Sequence, residues 1–275
     1  MEENAMKIIF LGTCSGTEPM PGRKHESVAI ETNDRIYMFD AGEGCSYTAH
    51  LLGLDMNKLC KIVISHTHID HVGGLANLLW IGKKLLIRAY IGKPRPPRKP
   101  MDLYLPNMET WEGIKLLMKS TEAGLVNEEL FYQSYPVTAH QVHAGVVFDD
   151  GVMKVTAVPN THVKNWVGGE SFSYSYLIEC EGKRLVYSGD VGNYEELDPL
   201  VGEGCDGLIL ETGHFGVDEA GAYAAKKVAE KKIGKLYFCH HGREILNHPK
   251  ESQQKVQQYF GDRAVICWDG MIEEW

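Results

Sequence analysis

The stretch SHTHIDHVGG, residues 65–74, places three histidines and an aspartate within six positions. It follows the apolar run KIVI, which reads as a strand, and it precedes a glycine pair. Side chains on a strand alternate between two faces. An H-x-H-x-D-H spacing at a strand end therefore cannot aim all four groups one way unless the chain wraps as a loop around a common centre. Imidazole nitrogens and a carboxylate are ligands suited to Zn, Fe, Mn or Ni, so a metal ion is the natural centre.

Four such ligands do not complete a two-metal site, and further donors are expected at other strand ends. VTAVPNTH runs into His162, RLVYSGD ends at Asp190, and KLYFCHH ends at His240 and His241. Each is weak alone, because a histidine after a strand is commonly just packed or exposed and an SGD turn is common. Together they complete the set that two ions about 3.5–4 Å apart require, one bridging carboxylate included.

The rest of the chain suits an ordinary globular protein. Its 275 residues, 44% hydrophobic and 24% charged, suffice for a sizeable core. Short β-rich runs (residues 7–12, 27–31, 35–40 and 61–65) mark its first part, and the same kind of run recurs in the last third. Helical spacing appears in METWEGIKLLMKS (108–120) and in VDEAGAYAAKKVAEKK (217–232), where Val217, Ala220, Ala224 and Val228 share a face. SFSYSYLIE alternates as an antiparallel strand, with Phe172, Tyr174, Tyr176 and Ile178 on one side. No repeat or linker is evident, and residues 1–275 read as one domain of sheets sandwiched between helices. The uncharged apolar stretches, such as Val72 to Gly82, fall short of the ~20 residues that span a bilayer. Seven scattered cysteines with no C-x-x-C pair argue against a disulfide framework and for a reducing cytoplasm. The net charge of −9 argues against a nucleic-acid coat.

SHTHIDH, NTH at 160–162, SGD at 188–190 and the histidine at 240, in that order, resemble the metallo-β-lactamase-fold hydrolases. LGTCSGTEP (11–19), FDAGEG (39–44) and CWDGM (267–271) extend the resemblance over nearly the whole chain. It implies an α/β fold, an αββα four-layer sandwich of two mixed sheets flanked by helices, with the site at one edge of both sheets. It implies that His66, His68 and His162 bind one metal, that Asp70, His71 and His240 bind a second, and that Asp190 bridges them. The family pattern takes the first histidine after the strand, so His240 is preferred to His241. Asp40 in FDAGEG is a candidate to orient a ligand histidine, or else a turn aspartate before glycine. Zinc is the first choice for both ions, with manganese or iron as alternatives. The resemblance also makes a homodimer an expectation.

Two bridged divalent ions supply a nucleophile at neutral pH and stabilise charge on the attacked and departing oxygens, so hydrolysis is the default reaction. The leaving group still needs a proton. LILETGHFG (208–216) offers Glu211 and, three positions on, His214, an arrangement similar to phosphodiesterases of this superfamily. Asp70 and His214 are thus the candidate catalytic residues. The alternative for His214 is a cap on the helix near Val217.

The order of motifs is most similar to the tRNase Z and cyclic-phosphate phosphodiesterase branch. Two departures argue against a tRNA substrate. His162 and Asp190 stand only 28 positions apart, too few for the tRNA-binding arm, and Leu210-Glu211-Thr212-Gly213 replaces the branch's His-Glu-Ala-Thr motif. From Lys83 to Lys99 there are seven basic residues (Lys83, Lys84, Arg88, Lys93, Arg95, Arg98 and Lys99) and no acidic one. Such a run would attract a small anionic substrate, or is a solvated loop, and Arg23, Lys24 and His25 raise the same question. The leading expectation is a phosphodiesterase acting on a small or cyclic phosphodiester. Hydrolysis of a lactone, thioester or sulfate ester on the same metals, or a metal-bound ligand sensor, are the other readings. A diiron oxygen-reducing role is disfavoured because those relatives carry glutamate where His68 stands.

Overall fold

Strand β1 (Lys7–Gly12) shows how the fold is layered. Its residues Ile8 and Phe10 face one way and Ile9 and Leu11 the other, and all four are buried. A strand with both faces apolar needs cover on both sides, and in the computed structural model it has both. That structure describes residues 6–16, 20–94, 100–119, 135–163, 171–230 and 232–275.

The first sheet has seven strands, adding β2 (Ser27–Glu31), β3 (Ile36–Phe39), β4 (Leu59–Val63), β5 (Met101–Leu105), β6 (Val137–Gln141) and β14 (Ile272–Glu274), in the order β14-β1-β2-β3-β4-β5-β6. The second contains β7 (Gly145–Asp149), β8 (Met153–Pro159), β9 (Tyr174–Cys180), β10 (Lys183–Tyr187), β11 (Cys205–Thr212), β12 (Ile233–His241) and β13 (Ala264–Ile266), in the order β13-β12-β11-β10-β9-β8-β7. Both are mixed. β3 to β6 run parallel, as do β10 to β13, and the remaining neighbours are antiparallel.

Between the sheets lies an aromatic core that includes Phe10, Tyr37, Phe39, Tyr176, Tyr187 and Tyr237. Tyr174, Tyr176 and Ile178 of β9 point into it, on the face the alternation predicts, and β9 is antiparallel to both neighbours. The outer face of the first sheet is covered by the helices Cys45–Leu51, Leu75–Ala89 and Met108–Lys119. The helices Val217–Ala229 and Pro249–Phe260 cover the second. Three cores between four layers make the αββα sandwich expected from the motifs.

The carboxyl ends of both parallel runs open at one edge of the sandwich, where α/β sheets usually bind ligands. Toward the amino ends of β3, β4 and β5 the sheets are joined instead by charges. Lys61 Nζ lies 2.6 Å from Asp102 and 3.9 Å from Asp150, Arg35 lies 3.1 Å from Asp150, and His140 Nε2 lies 2.9 Å from Asp102. All seven cysteines are free thiols. Among the described residues no helix is long and apolar enough to cross a membrane.

Candidate metal centre

The loop after β4 reaches across to the second sheet before it turns. Tyr174 N donates to Ser65 O at 3.0 Å, and His66 bridges Ser173. His68 then begins the helical turn Ile69–Val72. This bend lets His66, His68, Asp70 and His71 face one space although no strand spacing would allow it.

Donor atoms of His66, His68, His162 and Asp190 all lie within 4.8 Å of one another. His68 Nδ1 is 2.9 Å from His66 Nε2 and 3.2 Å from His162 Nε2. A second group joins Asp70, His71 and His240. Here His240 Nε2 is 3.2 Å from both Asp70 Oδ2 and His71 Nε2. Asp190 stands between the groups. Its Oδ2 is 3.6 Å from His66 and from His162, while its Oδ1 is 3.4 Å from His71 and from His240.

This donor set fits a metal. Imidazole nitrogens at these separations point lone pairs at one another, which needs a cation or a proton between them. Asp190 Oδ1 is buried with no hydrogen-bond partner, an arrangement that costs free energy unless something positive meets it. Burial pushes the pKa of His66 well below its ordinary value, and that of His162 below it, keeping both as neutral donors. Burial acts the same way on His71 and His240, but Asp190 outweighs it, with Asp40 for His71 and Asp70 and Glu211 for His240, and both pKa values end above the ordinary range. Asp190 stays a carboxylate despite full burial because His240, His71 and His66 surround it. Asp70 is partly buried, yet its contact with His240 draws its pKa down to about 2.

Beneath the second group lies a set of buried supports. Asp40 accepts from Ser65 N (2.6 Å), Ser65 Oγ (2.7 Å) and Tyr187 Oη (2.7 Å), and its Oδ2 is 2.7 Å from His71 Nδ1. That last contact fixes the His71 proton on Nδ1 and frees Nε2. Glu26 Oε2 accepts from His240 N (3.0 Å) and Cys239 Sγ (3.2 Å), and its Oε1 is 3.3 Å from Tyr187 Oη. Burial pushes the Glu26 carboxyl up to about 7. Asp40 and His240 both have positive φ, 59° and 48°, a conformation that surrounding contacts must hold.

His241 takes no part. Its Nε2 is 2.9 Å from Cys267 O and its Nδ1 is 3.1 Å from Thr212 Oγ1. Burial pushes its pKa down to about 3. The structure thus brings His240 rather than His241 to the cluster. His214 lies at the rim with its side chain 42% exposed, its Nδ1 2.8 Å from Glu211 Oε2 and 3.8 Å from Asp190 Oδ2. Its bond to Glu211 raises the imidazole pKa above the ordinary value. The helix at Val217 is capped by Gly216 and supported by Glu219 and Glu244 instead, so His214 is not its cap.

A sequence model of the family described as Anti-Pycsar protein Apyc1 matches residues 6–255. The chain belongs to this family. Ribonuclease Z of Methanothermobacter thermautotrophicus is 28% identical over 179 residues, covering 65% of this chain and 49% of that protein. Ribonuclease BN of Salmonella gallinarum is 29% identical over 187 residues, covering 66% and 50%. This member of the Apyc1 family therefore spans about half the length of the curated relatives it matches. Among solved structures it is similar to the metallo-β-lactamase fold protein YhfI of Bacillus subtilis (TM-score 0.71, 18% identity, 99% of this chain and 100% of that one). It is also similar to the short form of human tRNase Z (0.69, 19%, 97% and 98%) and to a diphosphatase of the PhnP family (0.63, 20%, 98% and 97%). At these identities the structures establish the fold, which is the metallo-β-lactamase fold.

All seven expected ligand residues converge. In its described part the basic run places Lys83, Lys84 and Arg88 in the helix Leu75–Ala89 and Lys93 beyond it. The helix Leu75–Ala89 starts three positions after the turn Ile69–Val72, and at a rise of 1.5 Å per residue Lys83 is roughly 12 Å and Arg88 roughly 20 Å along its axis from Leu75. Lys84 Nζ packs 4.1 Å from the Trp80 ring. Arg95, Arg98 and Lys99 lie outside the described residues. Arg23 bonds Thr13 and the Cys267 carbonyl, a loop-bracing role. Sequence reasoning missed Glu26 and Tyr187. Tyr187 sits in the very strand that leads to Asp190, and a polar tip on a core strand was the signal available.

Proposed function

We propose that the chain is a dinuclear metal-dependent phosphodiesterase that acts on a small or cyclic phosphodiester. The observation that carries this reading is Asp190, whose two oxygens face two separate groups of histidines at 3.4 and 3.6 Å. A carboxylate so placed suits a bridge between two ions.

When bound there, two divalent ions, zinc first and manganese or iron as alternatives, supply Lewis acidity and a nucleophile at neutral pH. The chain's own residues do the rest. His66, His68 and His162 would hold one ion, Asp70, His71 and His240 the other. Asp40 and Glu26 hold His71 and His240 in register, so that the donors need not reorganise. Glu211 occupies His214 Nδ1 and keeps the ring charged to higher pH, which leaves Nε2 as the proton donor to the departing oxygen. A partly exposed donor at the rim suits a leaving group that projects from the cleft. Structural relatives that include a tRNase and a diphosphatase support phosphate ester chemistry. Seven free thiols support a cytoplasmic setting, and a homodimer completes the proposal.

Turnover of bis(p-nitrophenyl) phosphate by protein loaded with Zn or Mn, with Asp70→Asn as control, tests the proposal. Turnover well above the control and abolished by a chelator is the expected result. No turnover with both ions verified in place would overturn it, and lactone, thioester and sulfate ester substrates would then be assayed on the same preparation.

A further inference from the structure

The residues His162 and Asp190 follow β8 and β10, which are not neighbours, because β9 runs between them. Strands are about 4.8 Å apart, so the two chain segments leave the sheet nearly 10 Å from each other. Yet His162 Nε2 and Asp190 Oδ2 end 3.6 Å apart. The two side chains reach toward each other across that gap, and the side chain of Glu196 lies where their loops meet.

Glu196 Oε1 accepts from Thr161 Oγ1 at 2.5 Å and from Asn193 Nδ2 at 3.2 Å. Its Oε2 accepts from Gly192 N at 3.0 Å and Thr161 N at 3.3 Å. Four donors, two from the residue preceding His162 and two from the loop after Asp190, match the roughly four lone-pair positions of a carboxylate. The fit is tight on the other side as well. A Cβ built on Gly192 would stand 2.0 Å from Thr161 Oγ1, so any larger residue there would push the Thr161 hydroxyl off its bond to Glu196. Glu196 is itself anchored. It lies in the short helix Tyr194–Leu197, whose Tyr194 and Leu197 are buried, and Tyr194 Oη donates to Glu211 O at 2.8 Å.

We propose that Glu196 is a positioning residue for His162, holding it at its separation from Asp190; His162 belongs to the first donor group alone, whereas Asp190 faces both. The inference rests on the reading that these groups hold metal. Its distinguishing consequence is asymmetry, because His162 would hold only one of the two ions.

Glutamine at this position would turn an amide NH₂ toward donors, so Glu196→Gln breaks the clasp with little change of volume. Thr161→Val removes one donor from the opposite side. The wild type and both variants, stripped of metal, would be titrated with zinc against a chromophoric chelator that resolves two binding constants. The melting temperature of each metal-free form would be measured in parallel. In both variants one constant should weaken about 10- to 100-fold, as is usual when a support of a ligand is lost. The other should stay within about twofold, with the metal-free melting temperature nearly unchanged. Two unaltered constants, or two that fall together with the melting temperature, would overturn the positioning role and leave Glu196 a merely structural residue. A wild type that binds fewer than two ions would overturn the dinuclear reading and the inference with it.

Discussion

The Tyr187 hydroxyl donates to Asp40 Oδ2 across 2.7 Å in a fully buried position. The same oxygen lies 3.3 Å from Glu26 Oε1, so one phenol links the carboxylate under His71 to the carboxylate under His240. A hydroxyl has a single proton. With that proton committed to Asp40, it accepts from Glu26 whenever that carboxyl is protonated.

Tyr187→Phe tests this link. It deletes one oxygen and leaves two buried carboxylates short of a partner, which costs about 1–3 kcal/mol. A lower denaturant midpoint with an unchanged slope is the expected record. Metal affinity should fall about tenfold at one of the two sites. An unaltered midpoint would show that neighbouring groups make up the lost bond.

Adjacent histidines at the end of β12 should respond differently to the same change. His240→Ala should remove one equivalent of bound metal, read by elemental analysis. His241→Ala should keep both equivalents and instead lose stability, about 1 kcal/mol for each of its bonds to Thr212 and the Cys267 carbonyl, which retain Cys239 O and Arg23 as partners. The reverse pattern would exchange their roles.

His214 is expected to matter in proportion to how much the leaving group needs a proton. On an alkyl phosphodiester, His214→Ala should lower kcat about 10²- to 10⁴-fold. On a p-nitrophenyl ester, whose leaving group departs without protonation at neutral pH, the loss should be far smaller. Equal losses on both substrates would assign His214 to binding rather than to proton transfer.

Acid should loosen the far edge of the sandwich. Burial acts to raise the pKa of Asp102, but hydrogen bonds with Lys61 and His140 more than reverse it, and the pKa lies below its ordinary 3.8. A depressed carboxyl contributes stability that is fully present above the ordinary value and is lost as pH falls through the lower folded-state value. Asp102→Asn should therefore destabilise the protein at pH 7 by a small margin, about 1 kcal/mol for a partly buried pair. That margin should shrink below about pH 4, as the wild-type carboxyl protonates. A margin constant with pH would assign the effect to packing rather than charge.

Much of this protein could be read in advance, and the reasons are local. The candidate ligands of the SHTHIDH loop lie within six residues of chain, so the purpose proposed for them shows in their spacing. The strands show as alternation, as at Tyr174, Tyr176 and Ile178. His162, Asp190 and His240 were legible only as a set, since each becomes meaningful by meeting the others. Between His240 and His241 spacing could not choose. Residues adjacent in a strand face opposite sides, but which side is which follows from register and from the positive φ at His240. Glu26 was beyond reach. In RKHES it looks like one more polar residue of a solvated turn, yet it is 1% exposed, and its partners are 161 to 214 positions away. Glu196 was hidden because Thr161, 35 positions before it, meets it only in the folded chain.

Neither donor group belongs to one sheet. His66, His68, Asp70 and His71 follow β4 of the first, whereas His162, Asp190 and His240 end strands of the second. An ion gripped by both halves recognises only the docked sandwich, and at a hundred times its dissociation constant such a ligand adds about 2.7 kcal/mol to the folded state. Resistance to heat and to proteases would thus rise and fall with ion supply, making the durability of the molecule a gauge of its surroundings.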